Sequence, residues 1–406
     1  MTLPKSATIS ELVLTPESEE EAAALVAACA AASRPLAIRG GGTKAAVGRP
    51  VNAEATLSTR GLTGITLYEP AELVIAARAG TPLAEVERTL AERGQMLPFE
   101  PADARVLLGS EGEATVGGLA ATNLSGPRRI MAGACRDAMI GVRFVNGRGE
   151  VVKSGGRVMK NVTGLDLVKL AAGAWGTLGL LTEVTFKVQP KAERSATLVI
   201  EGLDDVRGVE ALNAALCSPF EITGAAHLPA GLGGERALTL LRIEGFSPSV
   251  DYRVGELRHL LAPYGPAERI VDAGEARRLW QDVRDVRFLA EPQAHAVWRI
   301  STVPTAGPRV AAAIAAHADA RFFYDWGGGL VWLAVPAEGD CCAEAIRKAL
   351  APHGGHTTLW RAPADIRAAL QPFQPLAAPL MRLSEGIKRA VDPAGIFEPG
   401  RMYAGI

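Results

Sequence analysis

The stretch Pro35-Leu36-Ala37-Ile38-Arg39-Gly40-Gly41-Gly42-Thr43-Lys44 decides the fold. Pro35 starts a short apolar strand, and three glycines follow it directly. Glycine lets successive backbone N–H groups converge on one anion, so the triplet reads as a nest for a phosphate or pyrophosphate, with a flexible surface turn as the alternative. Two common phosphate patterns fail here. Ala45 follows Lys44, which breaks the Walker sequence, and Ala45 also stands where a dinucleotide G-x-G-x-x-G fingerprint needs its last glycine.

Working outward, the first 190 residues alternate strands with helices. Thr15 is the expected N-cap of an alanine-rich helix running to about Ser33, with Pro16 at its first position and Glu17, Glu19, Glu20 and Glu21 at its positive end. Leu73 to Ala79 reads as a strand. Thr81 then caps a helix that Pro82 opens and that ends near Gly94. Met139–Val145 and Glu150–Lys153 read as a hairpin around Asn146-Gly147-Arg148-Gly149. Leu180 to Val188 alternates as a strand. Thr115-Val116-Gly117-Gly118 begins a helix of small residues, and Gly173, Gly176 and Gly179 recur just before Leu180. Beyond Pro190, strand-like runs at 196–200, 237–243, 297–303 and 330–335 alternate with helical runs near 204–216, 249–262, 274–287, 307–318 and 340–351. That pattern is an α+β second domain with an open sheet. Leu376 to Val391 is a last expected helix.

Composition limits the function. The chain has 406 residues, which at roughly 150 per domain means two or three domains. Its 43 basic and 44 acidic residues leave a net charge of -1, so no basic excess exists to neutralise nucleic-acid phosphates. The longest apolar run, Ala22 to Ala32, is too short for a membrane span, which takes about 20 residues. The start, Met1-Thr2-Leu3-Pro4-Lys5, shows no signal peptide. Five scattered cysteines (Cys29, Cys135, Cys217, Cys341, Cys342) without a C-x-x-C argue against a disulfide framework and against a four-cysteine iron–sulfur or zinc site.

Several runs together resemble the FAD-binding domain of the vanillyl-alcohol-oxidase family: RGGGTK, ELVIAARAGTPLAEVERTL, GQMLPFEP, TVGGLAATNLSGPRR, GGRVMKNVTGLDLVKLAAGAWGTLGLLTEVTFKVQP and VDPAGIFEPGRMYA. With WRIS and DWGG added, the set resembles the FAD-binding subunits of bacterial glycolate oxidases (glycolate dehydrogenases). The resemblance implies an α+β fold: a two-part PCMH-type FAD-binding domain over 1–190, an α+β cap domain of the FAD-linked oxidase C-terminal type over 191–375, and a return segment over 376–406. It implies FAD as cofactor, with Arg39, Gly40, Gly41, Gly42, Thr43 and Lys44 as the pyrophosphate loop. Gly80 and Thr81 would line the cofactor channel, and Thr115, Gly117, Gly118 and Asn123 would meet the second phosphate and ribityl chain. Gly179 and Leu181 would hold the adenine end, and Arg401 would close the site. The implied partners are a homologous catalytic flavoprotein subunit and an iron–sulfur subunit, with glycolate as the substrate of the complex. No nucleic acid and no transmembrane segment are implied. The implied location is the cytoplasm, or the periphery of the inner membrane through the partner subunits.

Oxidising a 2-hydroxy acid on a flavin needs a base for the hydroxyl proton and a cation for the carboxylate. All six histidines lie beyond residue 226, so the flavin domain has none to tether a cofactor covalently, and Cys29 and Cys135 read as buried structural thiols. The segment Tyr324 to Trp332 most resembles the H-x-x-G-D-G-N-x-H strand of catalytic relatives, yet Trp332 replaces a ligand histidine and Gly328 the acid. Tryptophan can neither ligate a metal nor take a proton. Trp175 stands where those relatives carry glutamate. Arg299 and His356, in His353-Gly354-Gly355-His356, remain the catalytic candidates, and no metal site is expected. Read this way, the chain is an FAD-binding subunit without a complete substrate site. The alternatives are a self-sufficient FAD-dependent D-2-hydroxy-acid dehydrogenase and a non-catalytic structural subunit.

Overall fold

The computed structural model describes residues 12–156 and 164–406, so the amino terminus and most of the RVMKNVTG run lie outside the described residues. The glycine-loop strand Leu36–Arg39 is the edge of a three-stranded parallel sheet with Ala55–Ser58 and Val13–Leu14. The alanine-rich helix Glu19–Ala31 packs Ala22, Leu25, Val26 and Cys29 against Leu36 and Leu57 of this sheet and Val145 and Leu180 of the next. Its N-cap is Ser18, not the expected Thr15. The Ser18 hydroxyl accepts from the Glu21 N–H, and the Glu21 carboxylate accepts from the Glu17 N–H, so a reciprocal cap outweighs the proline signal.

The next sheet is antiparallel, in the order Ile65–Glu69, Val74–Arg78, Leu180–Lys187, Met139–Val145, Val151–Gly155. Its last two strands are the expected hairpin. The helix after Val74–Arg78 runs Leu83–Ala91, and Thr81 does not cap it. The Thr81 hydroxyl instead bonds both the N–H and the carbonyl of Gly64, and the Leu83 N–H is satisfied by the Ala114 carbonyl.

The second region is one antiparallel sheet of eight strands, ordered Glu268–Arg269, Arg194–Glu201, Leu238–Gly245, Ile222–Leu228, Arg321–Asp325, Leu330–Pro336, His295–Ser301, His356–Arg361. Three of these strands, at 222–228, 321–325 and 356–361, carry no clear strand pattern in the sequence because ITGAAHL and the flanking runs are buried on both faces. Alternation assigns the faces. Trp298 and Ile300 pack under the helices Gly307–Ala315 and Ala343–Leu350, while Val297, Leu330, Trp332 and Trp360 face the first region and share its core with Phe99, Leu107 and Trp175.

A charged lattice fastens the sheet to the first region. Arg242 donates two hydrogen bonds to the Glu100 carboxylate, at 2.9 and 2.7 Å, and Arg128 binds Glu244 in the same fork, at 2.8 Å twice. Burial alone would raise the Glu100 carboxyl, but Arg242 and Arg128 outweigh it and hold it at about 2. The contribution of Glu100 to stability is therefore present at neutral pH and is lost only as pH falls through about 2. Replacing Arg242 by leucine strands that carboxylate in a buried seam. Equilibrium urea denaturation at pH 7 is expected to show a loss of about 3 kcal/mol, and a loss below about 1 kcal/mol would mean the lattice does not hold the seam.

Candidate FAD-binding site

After Arg39 the chain leaves the sheet and runs through Gly40, Gly41 and Gly42 into a turn at Thr43 to Ala46. Gly42 has φ of 78°, a conformation that L side chains rarely adopt. A Cβ at Gly41 would lie 1.6 Å from the Glu113 carbonyl oxygen, so the loop packs backbone on backbone. Among the described residues, the N–H groups of Gly41, Gly42, Thr43 and Lys44 donate no hydrogen bond. Four consecutive unmet donors are the signature of a site built for an anion, since buried N–H groups are otherwise almost always paired.

These residues line a cleft between the two sheets of the first region. Of the residues expected at the cofactor, Arg39, Gly40, Gly41, Gly42, Thr43, Lys44, Thr115, Gly117, Gly118, Gly179, Leu181 and Arg401 line it. Gly80, Thr81 and Asn123 stand outside the lining. A Cβ at Gly80 would strike the Thr59 carbonyl at 1.8 Å, Thr81 is taken by Gly64, and Asn123 ends the Val116–Thr122 helix in a left-handed turn while its side-chain oxygen accepts from the Arg136 N–H. Trp175, Asn146 and Val391 also line the cleft. Trp175 holds φ of 54° and sets its ring edge-on to Trp360 and Phe373, at 6.2 and 5.5 Å, with Arg401 over it at 5.3 Å. These rings make an apolar wall beside the loop, at the tryptophan that the sequence singled out.

The carboxyl-terminal segment grips both ends of the loop. Fully buried Glu398 accepts from the Ile38 N–H at 2.7 Å and from Arg39 at 2.7 Å, and it pairs with Arg401 at 3.1 Å. Arg401 in turn donates to the Lys44 carbonyl at 3.1 Å. The second oxygen of Glu398 is buried and has no hydrogen-bond partner among the described residues, an acceptor that the protein alone leaves unmet. Lys44 is buried beside the loop. Burial lowers its ammonium to about 8, with Asp103 and Cys135 opposing. Cys29 and Cys135 are fully buried, and burial raises both thiols, so they stay protonated and inert.

Arg299 and His356 do not line this cleft, but they lie on paired strands of the large sheet, with His356 exposed and opposite Ser301. Trp332 sits edge-on to Trp360 at 5.5 Å in the core. Among the described residues, no three His, Cys, Asp or Glu side chains gather as a metal site. His227 is a core residue, bonded to Thr239 and Asp205.

A two-region α+β chain with an anion loop at the mouth of a long cleft defines a flavin-dinucleotide-binding protein, and the comparisons agree. A family model described as an FAD binding domain matches residues 10–155. The glycolate oxidase subunit GlcE of Escherichia coli (strain K12) is 37% identical over 372 residues, covering 91% of this chain and 93% of that one. The glycolate oxidase subunit GlcD of Bacillus subtilis (strain 168) is 27% identical over 60% of this chain and 49% of its own length. Among solved structures, p-cresol methylhydroxylase with substrate bound superposes with a TM-score of 0.73 at 14% identity, covering 97% of this chain and 88% of that one, which shows a shared fold.

The chain belongs to the family of the glycolate oxidase subunit GlcE, and its cofactor is FAD. The cleft fits that group. It offers unmet N–H donors and the cations Arg39, Lys44 and Arg401 for a pyrophosphate.

Gly118 provides a direct test. A Cβ there meets nothing closer than the Thr115 hydroxyl at 3.2 Å, so valine fits the protein but fills the cleft. Gly118→Val is expected to lower FAD content at least tenfold while the melting temperature of the apoprotein changes little. A second expectation concerns pH. Burial brings the Lys44 ammonium down to about 8, and a bound anion favours its charged form. FAD affinity, measured by flavin fluorescence, is therefore expected to fall as pH rises from 7 through 9, and the fall is expected to vanish in Lys44→Met.

Proposed function

We propose that the chain is the FAD-holding subunit of a glycolate oxidase complex that converts glycolate to glyoxylate and passes the electrons to a separate iron–sulfur subunit. Under this reading residues 1–190 are the FAD-binding domain, 191–375 the cap and 376–406 the return segment. Arg39 to Lys44 receive the pyrophosphate, Thr115, Gly117 and Gly118 the neighbouring phosphate and ribityl chain, and Gly179 with Leu181 the adenine end. Bound FAD supplies the two-electron acceptor for a CH–OH carbon.

The observation that carries the reading is the clamped loop, in which four unmet N–H groups are held by Glu398 and Arg401 from the far end of the chain. The chain's own residues bind the cofactor, exclude water with the Trp175–Trp360–Phe373 wall, and hold the loop still. The cysteines support a division of labour. They are widely separated or buried, and iron–sulfur ligation needs four thiolates in one place. A homologous flavoprotein partner then supplies the proton chemistry that Trp332 and Gly328 do not.

Affinity purification of the tagged chain from its native host tests this reading. Stoichiometric FAD released on denaturation, together with a second flavoprotein and a cysteine-rich subunit, is the expected result. A colourless chain that purifies alone would refute it.

A further inference from the structure

The helix Ala378–Val391 packs against its own pattern. Lys388 is its one buried residue, while Leu380 and Leu383 are 54% and 60% exposed. Burying a lysine where leucines are at hand costs desolvation, so packing does not explain the position. Burial lowers its ammonium, with Asp392 opposing. All three of its N–H donors are placed. Nζ donates to the Thr177 carbonyl at 2.7 Å, to the Asp392 carboxylate at 2.7 Å and to the Phe397 carbonyl at 2.8 Å. Asp392 is buried too, and its oxygens also accept from the Ile396 N–H at 3.2 Å and the Phe397 N–H at 2.9 Å. A tetrahedral point charge with three donors reaches two carbonyls and a carboxylate on three separate segments, which a planar guanidinium does not.

The two carbonyls belong to the two walls of the flavin cleft. Thr177 lies in the loop from Gly173 to Gly179, where Gly173, Trp175, Gly176 and Gly179 hold φ of 82°, 54°, 81° and 154°. Trp175, Gly176 and Gly179 line the cleft. A backbone with so many left-handed residues, one of them a tryptophan, persists only where its surroundings fix it. The first half is fixed by the Val116–Thr122 helix, whose Ala120 and Ala121 carbonyls accept from the Gly173 and Trp175 N–H groups at 3.2 and 2.8 Å. Lys388 fixes the second half. Phe397 is the neighbour of Glu398, the carboxylate that clamps Ile38 and Arg39 at the glycine loop. Among the described residues no other side chain donates to the Thr177 or Phe397 carbonyl. Lys388 itself stands outside the cleft lining, so it acts through these backbones.

We propose that Lys388, held by Asp392, is a positioning residue that couples the two walls of the flavin cleft. One buried ammonium keeps the glycine loop Arg39 to Lys44 and the loop Gly173 to Gly179 at the separation that a dinucleotide needs. Releasing it frees both walls at once, so FAD is lost from a chain that is otherwise folded. The proposal rests on the assignment of the cleft to FAD and is independent of the partner subunits.

Two variants test it. Lys388→Met strands the Asp392 carboxylate and is expected to lower the melting temperature as well as FAD content. Lys388→Met/Asp392→Asn removes that charge and keeps an acceptor for the Ile396 and Phe397 N–H groups. The double variant is expected to melt close to wild type, yet to release FAD at least tenfold faster, followed by flavin fluorescence after dilution. Hydrogen exchange of the FAD-loaded proteins gives the readout that a merely structural role would not move. Amides at 40–44 and at 174–179 are expected to exchange at least tenfold faster in the double variant, while those at 297–300 and 331–335 in the large sheet keep their protection. A folded double variant that holds FAD at the wild-type rate would overturn the proposal, as would acceleration at one loop alone or evenly along the chain. Stoichiometric FAD and co-purifying partners of the wild type are independent of these results, so this proposal can fail while the subunit assignment stands.

Discussion

The structure turns on one buried carboxylate. Glu398 lies about 360 residues from the glycine loop in sequence and in contact with it in space. It holds the Ile38 N–H and the Arg39 guanidinium at the start of the loop, and through Arg401 it reaches the Lys44 carbonyl at the end. A loop rich in glycine pays a large entropic cost to adopt one shape. Here the shape is imposed from outside, by a segment that also adds Phe397 beside Leu36 at the edge of the parallel sheet. The same segment is anchored behind by Lys388, whose ammonium bonds the Asp392 carboxylate and the carbonyls of Thr177 and Phe397. Lys388, Asp392, Glu398 and Arg401 in this chain of contacts are all buried and paired.

The eight-stranded sheet divides its labour by face. One face is apolar and covered by helices, which makes the sheet rigid. The other face meets the flavin region through aromatic rings at one side and charges at the other. The aromatic side, Trp175 with Trp360, Trp332 and Phe373, is a set of packed rings that offers no proton acceptor. The charged side pairs its glutamates with two arginines and leaves two others without a partner. A subunit that holds a flavin without doing proton chemistry at a metal is consistent with the first arrangement.

Much of this was legible in the sequence. The strand and glycine triplet at Leu36 to Gly42, the Thr115 cap with its small-residue helix, and the hairpin around Asn146 all follow from local rules, since each depends on residues within a few positions of one another. The resemblance placed FAD and the return segment for the same reason: its motifs are local strings. What escaped were features set by distant neighbours. Thr81 looks like a cap until Gly64 is seen beside it, and the Asn123 side-chain oxygen is taken by the Arg136 N–H. The strand Ile222–Leu228 is apolar on both faces, so no alternation marked it.

The sequence by itself marked an anion loop, through glycines whose lack of a side chain is a property of the residue alone, its resemblance to flavin-binding chains implied FAD, and it kept histidine away from the loop. Only the tertiary structure decided which donors are left unmet. Whether an N–H or a guanidinium has a partner depends on groups hundreds of residues away. Folding supplied Glu398 to Arg39 and Arg401, and supplied Glu100 and Glu244 to Arg242 and Arg128.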